Sequence, residues 1–235
     1  MNHADRITSL RPLHELVAVV ADLDAENMVR GILTRHQALG IRPIRNPKVQ
    51  RMISTHDAGC YKDVHHLTRQ FIDKGEYLIV LFDRHGSGAK DSAAQTIEQD
   101  VQGRLDAVGW RGRSAVVVFD PELEVWLWTD SPHTAKVMGW SNVGELRRWL
   151  QDPKIVARND HVVPSGSPVW PSMSPKPADP KEAYLLALRE KRQARSAAHF
   201  EDIARKANFK GCRDAAFNRF SAVLQRWFPL PLGID

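Results

Sequence analysis

Two cysteines in 235 residues, Cys60 and Cys212, are too few and too far apart for a disulfide framework, and with no Cys-x-x-Cys pair they form no zinc knuckle. A reducing compartment is the expectation. Long hydrophobic runs are missing as well. Leu16 to Ala21 and Ala115 to Phe119 fall far short of the roughly 20 residues that cross a bilayer. The opening Met1-Asn2-His3-Ala4-Asp5 has no signal-peptide core. These absences point to the cytoplasm and away from any membrane. No internal repeat is visible, and no two histidines stand at the His-x3-His spacing that places both imidazoles on one helix face.

What is present is the balance of a globular chain, 43% hydrophobic and 26% charged, enough to bury a real core in one large or two smaller domains. The formal charge of +5 is unevenly placed: residues 176–235 carry 12 Lys/Arg against 7 Asp/Glu, and the rest of the chain is balanced. A basic C-terminal face of this kind suits a polyanion or an acidic partner, or is simply a solvated helix surface.

Through the first 150 residues, strand-like and helix-like segments alternate, the pattern of a mostly parallel α/β sheet with crossover helices. Leu16 to Ala21 reads as a first strand. Asp24 to Leu33 follows as a helix with Asp24 as its N-cap, and Ile41 to Arg45 as a short second strand. A helix over Val64 to Asp73 precedes the apolar run Tyr77 to Phe82, the third strand. A charged helix from about Ala93 to Ala107 leads to a fourth strand, Ser114 to Phe119. Residues 1–158 are therefore read as an α/β domain. A Pro/Ser/Gly-rich connector over 159–180 and a helical C-terminal subdomain over 181–235 complete the chain, with helices at 180–192, 197–207 and 215–228.

The strand tips are acidic. Asp22 follows the first strand, Asp83 the third, and Asp120, Glu122 and Glu124 the fourth, so parallel strands would align these carboxylates along one sheet edge. Hard divalent cations such as Mg or Mn take oxygen ligands and offset phosphate charge, which makes such an edge a candidate phosphoryl-transfer site. Acidic residues also cap helices and end strands without any catalytic role. Gly86-Ser87-Gly88 is either a phosphate-cradling turn assisted by Lys90 or a plain tight turn; it lacks the third glycine of a dinucleotide fingerprint and the Gly-Lys-Ser/Thr end of a P-loop. Asp57, in Thr55-His56-Asp57, is a further ligand candidate. Of seven tryptophans, Trp126 and Trp149 read as core, and Trp170 as a docking residue in the connector.

Val80-Leu81-Phe82-Asp83-Arg84-His85-Gly86-Ser87-Gly88, Asp120-Pro121-Glu122-Leu123-Glu124-Val125-Trp126 and Pro180-Lys181-Glu182-Ala183 together resemble Toprim-like proteins of bacterial phage-defence loci. The likeness is to small components of the methylation-associated defence system. It extends over about residues 14–229, with Pro-Glu-Leu-Glu-x-Trp as its most specific part. It implies a Toprim-like fold, a divalent metal (Mg or Mn) and phosphodiester chemistry on DNA or RNA. Asp22, Asp83, His85 and Glu122 would hold metal, Glu26 or Glu124 would handle the proton, and Arg84, Lys90, Arg192 and Arg195 would meet phosphate. Two positions depart from the Toprim pattern: Asp22 stands where a glutamate is usual, with Glu26 one turn later, and His85 replaces the second aspartate. Histidine suits Mg poorly. The resemblance therefore carries an alternative, a catalytically inactive subunit docking on a larger companion protein of the same defence system.

Overall fold

The computed structural model describes residues 11–158, 169–170, 174–175, 177, 179–209 and 212–231. Its centre is an all-parallel sheet of four strands: β1 (His14–Val20), β2 (Lys48–Arg51), β3 (Gly75–Asp83) and β4 (Ser114–Phe119), in the order β2-β1-β3-β4. The alternation of the apolar runs explains two separate layers of packing. Leu16, Ala18, Val20, Ile79, Leu81, Val117 and Phe119 point to one face, and Val17, Val19, Leu78, Val80, Phe82 and Val118 to the other.

The first face is covered by helix α1 (Leu23–Leu33), and the second by α2 (His56–Lys62) and α3 (Ala94–Leu105). Three C-terminal helices, α4 (Pro180–Glu190), α5 (Ala198–Lys206) and α6 (Ala215–Trp227), join α1 on the first face. Tyr184, Phe200, Phe217, Phe220 and Leu224 share one continuous core with β1, β3 and β4. Trp126 anchors it. Its fully buried ring lies edge-on to Phe119 and Phe217, and its Nε1 donates to Asp214 Oδ1 at 2.9 Å. Trp149 is partly buried against the same core.

The α1–α5 contact depends on a missing side chain. A Cβ on Gly31 would stand 2.6 Å from Ala204 Cβ and 2.8 Å from the Glu201 carbonyl oxygen. Gly31→Val is expected to force these helices apart and lower the unfolding free energy by roughly 1–3 kcal/mol. Urea denaturation at constant pH would measure this, and an unchanged midpoint would contradict the packing.

Four element boundaries differ from the sequence reading. The second strand is Lys48–Arg51, not 41–45; with one buried residue, Val49, this short edge strand has no apolar signature. Ile41 instead bridges to Pro229. Helix α1 is capped by Asp22 rather than Asp24: Asp22 is extended (φ −144°) and its Oδ1 accepts from Ala25 N at 2.9 Å. The helix expected over 64–73 ends as an α-helix at Thr68 and tightens into a 3-10 turn, Arg69–Phe71. The charged helix stops at Leu105, before a turn in which Gly109 adopts φ 101°. Most of the expected connector lies outside the described residues, as does the Trp170 side chain; Val169–Trp170 and Ser174–Pro175 pair as a short antiparallel ladder. No described helix is long and apolar enough to cross a membrane.

Candidate functional site

The chain leaves β1 to form β2 on one side, then crosses back to place β3 on the other. The carboxyl ends of β1 and β3 thus flank a topological switch point, where open α/β sheets leave a crevice for ligands. Asp22 follows β1 directly and Asp83 is the last residue of β3. Both line a small cleft with Asp24, Asp57, Glu124 and Lys181. The void measures about 10 Å³, room for one water or one small ion. A nucleotide does not fit inside, so any larger ligand must lie across the mouth.

Backbone amides hold three of these carboxylates by a single oxygen. Asp83 Oδ1 accepts from Leu123 N at 2.8 Å, and Asp57 Oδ1 accepts from Asp83 N at 2.8 Å. Asp22 is held through its cap to Ala25. Glycine makes room for this: a Cβ on Gly86 would lie 2.4 Å from Asp57 Oδ2. The Gly86-Ser87-Gly88 turn is closed on itself, with Ser87 Oγ donating to Arg84 O at 2.7 Å and accepting from Ala89 N at 3.0 Å.

Crowding raises the proton affinity of the cluster. Burial, then the charges of Asp57 and Glu124, push the Asp83 carboxyl well above its usual range against the opposing Leu123 amide. Burial likewise raises Asp57 and Asp24, the latter opposed by Arg195. Burial lifts Glu124 to about 7 despite the nearby Lys181. The Lys181 ammonium loses solvation by burial, yet Glu124, Glu122 and Asp83 outweigh that loss and leave its pKa raised. One half-buried cation therefore faces several carboxylates.

The remaining residues singled out from sequence are placed as follows. Glu122 is at the rim, 3.8 Å from Lys181 Nζ. Three assignments differ from the geometry. Glu26 is outside the cleft, engaged by Arg30 at 2.7 Å and Arg51 at 2.8 Å, because it points from α1 toward the β2 edge. His85 is exposed in the 3-10 turn beyond Asp83 and does not line the cleft. Arg84 is paired with Asp120 at 2.7 Å and also donates to Lys90 O, so its guanidinium is already engaged. Arg195 is paired with Asp24, while Lys90 and Arg192 are exposed. Asp24, read from sequence as a helix cap, and Lys181 are the cleft residues that sequence reasoning did not place in the site. Lys181 arrives from a helix about 100 positions beyond Asp83 in the chain, and its only sequence signal is its place in the Pro-Lys-Glu-Ala segment.

Among the described residues, no three His, Cys, Asp or Glu side chains are already gathered as a metal-ligand set. The donor chemistry nonetheless suits a hard divalent cation: carboxylate oxygens alone, in a buried cluster short of positive charge. Compared with known proteins, the chain matches no family model, no curated protein and no solved structure.

Proposed function

We propose that the chain carries out divalent-metal-dependent phosphodiester chemistry on DNA or RNA, as a Toprim-like component of a bacterial antiviral defence system. The observation that carries the chemistry is the meeting of Asp22, Asp57, Asp83 and Glu124 with Lys181 at the switch point of the parallel sheet. The defence setting rests on the sequence resemblance. Asp22, Asp57 and Asp83 would hold Mg or Mn, each carboxylate being fixed through one oxygen by a backbone amide. The ion would neutralise charge on a phosphoryl oxygen. Glu124, titrating at about 7, is suited to take a proton from an attacking water at neutral pH. Lys181 supplies an ammonium donor to a phosphate oxygen, and Glu122 steadies it from the rim. The nucleic acid would lie across the mouth, beside the Arg195–Asp24 pair.

A second reading is a non-catalytic subunit that docks on a larger protein of the same system. The position of Lys181 favours it, since a resident ammonium offsets the carboxylates without any metal. Labelled plasmid, single-stranded DNA and RNA, incubated with Mg or Mn, separate the two. Cleavage by the wild type that Asp83→Ala abolishes supports the enzyme. No cleavage with either metal on any substrate, together with loss of phage protection on altering the C-terminal helical surface, supports the docking subunit.

A further inference from the structure

A second cavity lies at the opposite end of α1 from the acidic cleft, between the C-terminal end of α1, the end of α5 and the face of α6. Its volume is about 400 Å³, within the roughly 300–1,000 Å³ of small-molecule sites. Its walls are apolar, formed by Ile32, Ala38, Leu39 and the stacked rings of Phe209 and Phe217, whose centroids are 4.9 Å apart. Four polar residues line this space: Asn208 and Gln225 already have partners, the latter donating to Leu39 O at 2.8 Å, and Arg35 and Ser221 are the other two.

Neither is satisfied by the protein. Arg35 Nη1 donates to the Ala204 carbonyl at 3.3 Å and to that of Ala207, which clamps the side chain over Phe209. Its Nε and Nη2 have no acceptor, and its charge has no carboxylate within ion-pair reach, among the described residues. The partly buried Arg42 and Arg219 are different: each is paired with a carboxylate. Burial depresses the Arg35 pKa. Ser221 Oγ is buried with no hydrogen-bond partner among the described residues, and a polar group left so is costly unless something meets it. A lone water would serve Ser221 but would leave the Arg35 charge unpaired.

We infer that this cavity binds a small amphipathic monoanion, an aromatic or short aliphatic body lying against Phe209 and Phe217 with one carboxylate-like group meeting Arg35 and Ser221. The apolar walls supply the affinity, and the fixed guanidinium selects the charge. This site is independent of the acidic cleft and stands whether or not the chain is a nuclease.

The test uses the full chain with phenylacetate, 3-phenylpropionate and 4-phenylbutyrate, followed by calorimetry and by nuclear Overhauser contacts to the Phe209 and Phe217 rings. At least one acid should bind saturably, at least tenfold more tightly than its uncharged amide. Ala38→Trp, which fills the mouth from an exposed position, and Ser221→Leu, which fills the interior, should each weaken binding at least tenfold without loss of fold. Arg35→Gln should erase the preference for acid over amide. The site is refuted by no saturable binding of any of the three acids at millimolar concentration, by acid and amide binding alike, or by binding that a folded Ala38→Trp variant leaves unchanged.

Discussion

Asp83→Asn is expected to make the protein more stable at pH 8 while abolishing its response to divalent metal. Asp83 lines the cleft facing Asp57 and Glu124, and burial with those like charges raises its pKa well above the ordinary value. The charged form is therefore the costly one, and the folded state loses stability as pH rises above the ordinary carboxylate value, because the unfolded chain releases the proton first. Asparagine keeps an oxygen to accept from Leu123 N and turns an amide N–H toward Asp57 and Glu124, replacing repulsion with a hydrogen bond. The thermal midpoint should rise. On the proposed chemistry the same substitution removes a central ligand. Partners one shell outside a metal site are worth about 10–100-fold in affinity or activity, so loss of a direct ligand should lower cleavage by at least about 100-fold. Differential scanning fluorimetry at pH 8, with and without Mn, reads both effects. Wild type should gain stability with Mn because the ion binds only the folded form. A destabilised Asp83→Asn that still responds to Mn would sink the assignment of Asp83.

Glu124→Gln should show a gain in stability that depends on pH in one direction only. The Glu124 carboxyl titrates at 4.5 when unperturbed and at about 7 in the fold, chiefly through burial. Below 4.5 it is protonated in both folded and unfolded chains, and contributes no pH dependence. Between 4.5 and about 7 the unfolded chain releases the proton first, so the folded state loses stability as pH rises. Above about 7 the full penalty is present. A shift of this size corresponds to a penalty on the order of 3 kcal/mol at about 1.4 kcal/mol per pH unit. Glutamine removes it. The midpoint of Glu124→Gln relative to wild type should therefore be raised by about 6–12 °C at pH 8.5, using about 2–4 °C per kcal/mol for a chain of this size. Near pH 4 the two should coincide. A constant offset across that range would show that Glu124 does not titrate in the way its burial implies.

The two effects share a physical origin. A sheet edge that gathers several carboxylates with one lysine stores electrostatic repulsion, and a ligand of positive charge releases it. Elsewhere in the fold a carboxylate meets more than one basic group, as Glu15 does with Arg42 and Arg45 and Asp202 with Lys206 and His133. The departure from that pattern at the switch point is what makes the cleft a functional candidate.

The apolar runs at 77–82 and 114–119 were legible as strands because burial on both faces demands unbroken hydrophobic residues, and the acidic residues at their ends were legible by position alone. The C-terminal helices were legible by their periodicity, and α6 starts at the expected Ala215. The second strand was not, since Lys48–Arg51 is an edge whose pairing with β1 comes from register and not from hydrophobicity. Arg84 could not be excluded from sequence, because its neutralising partner Asp120 lies 36 positions away, whereas Glu26 has a local partner, Arg30, as well as the distant Arg51.

The amino-acid order by itself determined the α/β alternation, the tips at Asp22 and Asp83, and the helical character of the C-terminal third, all of which follow from local periodicity and capping. Only the tertiary structure decided that Asp57 and Lys181 share a cleft with those tips, that His85 is outside it, and that Arg35 faces a cavity without a counter-ion. Those outcomes depend on through-space distances between segments far apart in the chain, set by which face of the sheet each helix covers, and no local pattern encodes them.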